Sequence, residues 1–98
     1  MEFTIKKLNT SVHNLMRDLG YHFQREENKE MAFYKPLSNR DYPRFHIYLK
    51  YDNEMYFNIH LDQKKPIYEG APAHNAEYDG ELVTRETERI KKFFDNLV

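Results

Sequence analysis

Three histidines and one aspartate are the side chains of this sequence best suited to chemistry. His46 and His60 lie in two neighbouring segments that alternate apolar and polar residues, and Asp62 follows His60 by two positions. His74 lies further along, in a stretch rich in carboxylates. Imidazole and carboxylate groups are ligands for divalent transition metals and are also the usual general acids and bases. These four residues therefore define a candidate metal or acid–base site.

The absence of several residue types and motifs limits the cofactors and reactions that the sequence can support. The chain contains no cysteine, which excludes disulfides, thiolate zinc sites and cysteine nucleophiles. It has no glycine-rich phosphate loop and no serine in a nucleophile-elbow motif. We therefore expect no cofactor other than a divalent metal ion. Polar and aromatic side chains also line exposed strand faces without any function, because tyrosine itself favours strands.

The segment 44–62, RFHIYLKYDNEMYFNIHLD, must position His46 and His60. Its apolar residues alternate with polar ones on both sides of residues 52–54, which predicts two antiparallel strands joined by a three-residue turn. Matching the apolar faces fixes the register, since a slip by one residue would expose one apolar set. The predicted cross-strand pairs are His46 with His60, Tyr48 with Asn58, and Lys50 with Tyr56. Paired Cβ atoms then lie about 5 Å apart.

The beginning of the chain has two interpretations. An apolar stripe at helical spacing predicts a helix over 4–19, with Gly20 as its left-handed end; its members are Ile5, Leu8, Val12, Leu15 and Leu19. Asn9, Thr10 and Ser11 are poor helix formers in a row, so the alternative is a strand over 2–7 followed by a helix capped within 9–11. We favour the single helix because the stripe keeps its phase across the gap.

The remaining segments complete an order of α-β-β-β-β-α. Alternating aromatic residues predict a hairpin of strands 21–26 and 30–35, ended by Pro36. Residues 63–80 have no periodicity and are expected to form a long loop. Asp79 is the expected N-cap of a final amphipathic helix, whose apolar stripe is Val83, Ile90, Phe93, Phe94 and Leu97, with Leu82 at its edge.

This order predicts one α+β domain over residues 1–98. Each helix has one apolar stripe and the central hairpin has one apolar face, so both helices should pack on the same face of an antiparallel sheet in a two-layer sandwich. The opposite face, called the open face below, is then left to bind a partner. Its predicted binding residues, with two from the loop, are Tyr48, Lys50, Tyr56, Asn58, Tyr68 and Tyr78.

Composition limits the partners and the location. Of the 98 residues, 40% are hydrophobic and 32% are charged, which is typical of a soluble domain. The net charge of −1 argues against general nucleic-acid affinity. No apolar run reaches the length of a membrane span, and the first residues lack the apolar core of a signal peptide. We therefore expect a cytoplasmic protein without membrane contact.

Two resemblances accompany these patterns. The strings HLDQKKP and AHNAEYDGE, within residues 57–90, resemble a small bacterial family of uncharacterised proteins, and this likeness implies no activity. The order of elements around Leu19-Gly20-Tyr21 is similar to HicA-type RNA-cleaving toxins and double-stranded RNA-binding domains. Those toxins carry Gly-Ser-His on an early strand, where this chain has Met31-Ala32-Phe33, so the catalytic histidine is missing. The second likeness therefore concerns the fold, which does not transfer function.

Three functions follow as hypotheses. The first is a non-catalytic interaction module that binds a protein, a peptide or a second copy of the chain through the open face and the 63–80 loop. The second is a small metal-dependent or acid–base enzyme centred on His46, His60, Asp62 and His74. The third is a HicA-like RNA-binding domain. We favour the first, because exposed tyrosines make good contact anchors.

Overall fold

Alternating apolar and polar residues build an antiparallel sheet that carries two helices on its apolar face. The computed structural model describes residues 1–64 and 76–97. In chain order, its elements are β1 (Glu2–Lys6), α1 (Val12–Asp18), β2 (His22–Glu27), β3 (Glu30–Pro36), β4 (Arg44–Tyr51), β5 (Glu54–Asp62), β6 (Ala76–Glu77) and α2 (Glu81–Asp95). The strands lie in the order β1-β5-β4-β3-β2, and β6 pairs with β5 beyond the end of β1. The predicted α+β architecture with an antiparallel sheet is confirmed.

The predicted helix over 4–19 is wrong, and the alternative with a strand first is correct. Residues Glu2–Lys6 form an edge strand on β5, and the ring of Phe3 stacks on that of Phe57 at 4.8 Å. The helix begins only after Ser11, whose hydroxyl accepts a hydrogen bond from the Asn14 amide. The three poor helix formers therefore outweigh the continuous apolar phase, because a side chain that bonds its own backbone favours a cap over a helix interior.

The hairpin of β2 and β3 agrees with its prediction to within one or two residues. Asn28 and Lys29 form its tight turn with positive φ angles of 52° and 65°, as a turn that matches the twist of the strands requires. The strand β3 ends at Pro36, as expected. The register shifts between Phe23 and Arg25, so that one additional residue, Gln24, is accommodated as a β-bulge.

The register of β4 and β5 is the predicted one. His46 pairs with His60, Tyr48 with Asn58, and Lys50 with Tyr56. The turn is one residue shorter than predicted, because Glu54 already belongs to β5 and pairs with Lys6 of β1. Apart from the half-buried Tyr51, the odd-numbered residues of both strands are buried on the side of the helices: Phe45, Ile47, Leu49, Met55, Phe57, Ile59 and Leu61.

Both helices pack on this apolar face. Leu15 and Met16 of α1 and Val83, Ile90 and Phe94 of α2 join the same buried core. Gly20 ends α1 with a φ of +97°, as predicted for a left-handed C-terminal position. The two helices thus leave the even-numbered side chains of β4 and β5 on the other side of the sheet.

The start and end of α2 differ from the prediction. Its N-cap is Gly80, not Asp79, and no side chain caps it. A Cβ atom at Gly80 would lie 2.7 Å from Oε1 of Glu77, so a larger residue there would require the flexible end of that side chain to move. The helix ends at Asp95, and Leu97, predicted within the apolar stripe, is 49% exposed.

The predicted 63–80 loop is partly described. Ala76 and Glu77 form the short strand β6, which pairs with Asp62 and Leu61 of β5. The end of the predicted loop is therefore tied to the edge of the sheet.

Candidate metal centre

The register of β4 and β5 brings the two predicted histidines together on the open face. The rings of His46 and His60 lie 5.0 Å apart between centroids, and Asp62 follows on the same side of β5. Both histidines are buried, with only 8% and 7% of their surface exposed. The face opposite the helices is therefore covered at this end, and a ligand held here would be partly shielded from water.

Asp62 approaches both imidazole rings. Its Oδ1 lies 2.9 Å from Nε2 of His60, and its Oδ2 lies 3.5 Å from Nδ1 of His46. One ligand atom from each residue falls within 4.8 Å of the other two. Ligand atoms of a tetrahedral ion with bonds of about 2.1 Å lie about 3.4 Å apart. Small side-chain adjustments would therefore suffice to coordinate one divalent ion.

Gln24 fixes the orientation of His46 from the other side. Its Oε1 lies 2.9 Å from Nε2 of His46. Because an amide oxygen can only accept, this orientation of the Gln24 amide matches the tautomer that carries its hydrogen on Nε2, and Nδ1 of that neutral ring presents its lone pair. Histidines that bind metal ions commonly donate their other ring N–H to such an acceptor, which sets the tautomer and the ring orientation. Gln24 thus occupies the position of an outer partner of a metal ligand.

The contact between His46 and Asp62 then has an electrostatic consequence. With Nε2 protonated, a neutral His46 directs a lone pair at an oxygen of a carboxylate 3.5 Å away. Two acceptors at this distance repel each other. A cation between them, either a proton on Nδ1 or a metal ion, turns the repulsion into attraction.

The carboxylate of Asp62 is ionised. Burial by itself would raise its pKa, but hydrogen bonds from the two imidazoles, with a proton on Nδ1 of His46, and the positive charge of the protonated rings lower the pKa far below its ordinary value. Asp62 is therefore an anion wherever the fold is intact at neutral pH. A permanent negative charge beside two imidazoles suits a divalent cation.

Two tyrosines form walls of this cluster. The ring of Tyr48 lies 4.6 Å from that of His46, and the ring of Tyr78 lies 5.2 Å from that of His60. Tyr78 arrives there because β6, two residues earlier, pairs with β5. The end of the predicted loop therefore does lie beside the histidines. His74 and Tyr68, which the sequence also suggested for the site and the binding face, lie outside the described residues.

The other predicted binding residues line a groove next to the cluster. It has a volume of about 360 Å³. Its polar lining comes from Tyr48, Lys50, Tyr56, Asn58, Glu2, Thr4 and Glu30. Tyr56 is the most open of its rings, with 46% of its surface exposed. Tyr48 belongs both to this groove and to the wall of the histidine cluster, so the two features adjoin.

Comparison of the chain with protein-family models, curated proteins and solved structures finds no match. Within residues 1–64 and 76–97, neither helix has the length and apolar character needed to cross a membrane.

Proposed function

We propose that the protein binds one divalent transition-metal ion through His46, His60 and Asp62 and uses it in a hydrolytic reaction. The observation that carries this proposal is the convergence of the three ligand atoms within 4.8 Å, with His46 held from behind by Gln24. His46, His60 and Asp62 are three of the four residues of the metal-dependent hypothesis drawn from the sequence, and the fourth, His74, lies outside the described residues.

The donor set favours zinc or a neighbouring transition metal. Two imidazole nitrogens and one carboxylate oxygen suit zinc, cobalt and nickel, whereas calcium and magnesium prefer oxygen ligands alone. Structural zinc sites have four protein ligands, and catalytic sites have three with a water in the fourth position. A bound water becomes acidic enough to supply hydroxide near neutral pH. A divalent ion held by the three ligands that the described residues supply would leave a position for such a water, and the proposed reaction is hydrolysis, in which the hydroxide would bond to an electrophilic centre while the leaving group departs with a proton.

Titration of zinc into the metal-free protein, followed by calorimetry, tests this proposal. We expect one ion per chain, and we expect the His60→Ala and Asp62→Asn variants to lose this binding. The matched control is His13→Ala, because His13 is an exposed histidine of α1 on the other side of the sheet. Wild-type protein that binds no zinc, or His13→Ala and His60→Ala variants that lose binding equally, would contradict the proposal.

Binding should also stabilise the fold. An ion that binds only the folded chain adds about 2.7 kcal/mol to the free energy of unfolding when its free concentration is 100 times its Kd. Urea unfolding with zinc, and again after a chelator, measures this gain. The His60→Ala variant should show no gain, and the His13→Ala variant should gain as much as the wild type.

The groove around Tyr56 supports a second candidate, self-association through the open face. A two-fold interface must be complementary to itself, and this groove contains charges of both signs, Lys50 with Glu2 and Glu30. Exposed tyrosines add contact area at low entropy cost. A second copy of the chain, rather than another protein, is therefore the partner that this surface favours.

Sedimentation equilibrium over a range of concentrations tests the second candidate. We expect a dimer that the Tyr56→Asp variant dissociates, because the substitution places a charge in the contact. The control is Leu82→Asp, an equally exposed apolar position of α2 at 48% exposure. A wild-type protein that stays monomeric throughout would remove this candidate and leave the metal proposal intact.

A further inference from the structure

Arg44 is held in an unusual position at the first residue of β4. Its guanidinium carbon lies 4.7 Å from the ring centroid of Tyr34 and 4.5 Å from that of Tyr42. Stacking on aromatic rings attracts the cation and restricts the rotamers of a long side chain. The guanidinium is therefore oriented before any ligand arrives.

The hydrogen-bond donors of Arg44 are not used by the described part of the chain. Its Nε is buried without a hydrogen-bond partner, and no carboxylate among the described residues lies within 4.0 Å of its side-chain nitrogens. Asp62 is its cross-strand neighbour, yet the Asp62 oxygens are directed at His46 and His60. A buried donor without a partner costs free energy. The two Nη nitrogens of Arg44 are not among these buried atoms, so they are the donors that a ligand can reach.

The position of Arg44 relates it to the candidate metal centre. It precedes His46 by two residues on the same face of β4, and Tyr34, on which it stacks, is the cross-strand partner of His46. A planar guanidinium recognises carboxylate or phosphate oxygens through two parallel hydrogen bonds. A ligand that touches the metal ion can therefore extend an anionic group toward this arginine.

We propose that Arg44 binds a phosphate group of the substrate, and that another oxygen of the same phosphate group coordinates the metal ion. This inference rests on the proposed function and names its substrate class as a phosphate ester. Phosphate fits better than carboxylate because it has enough oxygens for both partners. A carboxylate has two, and a bidentate guanidinium would occupy both.

Calorimetric titration of inorganic phosphate into the full chain, with and without bound zinc, tests the inference. We expect phosphate to bind more tightly to the zinc-loaded protein, and acetate to bind more weakly than phosphate. The Arg44→Lys variant keeps the charge but loses the planar fork, so its phosphate affinity should fall about tenfold or more. The control is Arg85→Lys, because Arg85 is an exposed arginine of α2 paired with Glu81.

The variants separate the two proposals. Zinc affinity should be unchanged in the Arg44→Lys protein, and circular dichroism should show that this variant is folded. Equal phosphate affinity in wild-type and Arg44→Lys proteins, or tighter binding of acetate than of phosphate, would overturn the role of Arg44. Failure of zinc to bind the wild type overturns the proposed function instead. A phosphate affinity of the metal-free protein that still depends on Arg44 would then support the arginine site alone.

Discussion

Two carboxylates lie against opposite faces of the same sheet, and their partners differ. Glu86 of α2 lies on the helix side, where it is 6% exposed. It accepts hydrogen bonds from Tyr21 at 2.7 Å and from Nε and Nη2 of Arg89 at 2.7 and 2.9 Å, and Lys35 lies 3.9 Å away. Arg89 also donates to the carbonyl of Leu19 at 2.7 Å. The network joins α2 to the end of α1 and to β3.

Asp62, on the open face, has only the imidazoles of His46 and His60 as side-chain partners among the described residues. Arginine, lysine and tyrosine hold Glu86 with donors that stay protonated, and they cannot serve a metal ion as neutral imidazole does. An imidazole that loses its proton exposes a lone pair and becomes a ligand. The buried Glu86 therefore supports the structure, whereas Asp62, which is 19% exposed, belongs to a candidate site, because their partners differ.

Removal of the Glu86 carboxylate should have the largest effect on stability. The Glu86→Ala variant leaves the buried hydroxyl of Tyr21 without its acceptor and Arg89 without its partner. Because Arg89 can still reach water, we expect a loss of about 3 kcal/mol in the free energy of unfolding, at the lower end for a broken buried pair. Urea unfolding of the metal-free protein measures it. Glu88→Ala, at an exposed position of the same helix, is the matched control.

The corresponding change on the open face should behave differently. If Asp62→Ala costs the metal-free protein as much stability as Glu86→Ala, the two carboxylates have the same structural role. The contrast between a supporting network and a site would then be wrong.

Removal of the Gln24 amide should weaken metal binding. We expect this effect to be smaller than the loss of stability in the Glu86→Ala variant. Partners that orient a ligating histidine typically contribute 10- to 100-fold to affinity. We therefore expect the Gln24→Ala variant to bind zinc about tenfold more weakly, because the His46 ring loses the acceptor that fixes its tautomer. Calorimetry measures the affinity. Gln63→Ala is the control, since the side-chain hydrogen bond that Gln63 makes within the described residues is to the carboxylate of Glu77. Equal zinc affinity in the Gln24→Ala and wild-type proteins would leave Gln24 as a purely structural residue.

The sequence was sufficient to predict where His46, His60 and Asp62 meet. Strong alternation on two adjacent strands with a short turn leaves one register that buries both apolar sets. That register places the two histidines opposite each other, as the structure shows. The apolar pattern was not sufficient for residues 4–19. The same apolar positions fit one continuous helix and also a strand followed by a shorter helix, so the pattern does not distinguish the two.

Gln24 and Glu86 were not predicted, for different reasons. The contact of Gln24 with His46 reaches across β3, which lies between β2 and β4, and Gln24 is the additional residue of the bulge in β2; sequence alternation shows neither feature. The sequence does contain a pattern that indicates the role of Glu86. It lies between Val83 and Ile90 at helical spacing, so a charged residue interrupts the buried stripe of α2. Such an interruption indicates a buried polar network, but its partner Tyr21 lies 65 residues away and local patterns do not identify it.

The smallest expected effect concerns pH and tests whether the charge of Glu86 is what its network requires. Burial opposes ionisation of this carboxyl, but hydrogen bonds from Arg89 and Tyr21 outweigh it and lower its pKa below the ordinary value of 4.5. A carboxyl whose pKa is lower in the folded state contributes stability that is complete above the unfolded value and is lost as the pH falls through the folded value. The metal-free wild type should therefore lose part of its free energy of unfolding below about pH 4.5. The Glu86→Gln variant, less stable at neutral pH, should lose less over the same range. Urea unfolding of both proteins between neutral pH and acid measures the two slopes. If the free energy of unfolding falls with pH equally in both proteins, other carboxylates, Asp62 among them, cause the loss of stability in acid. The two faces of the sheet would then differ in the geometry around their carboxylates and not in the role of the charge.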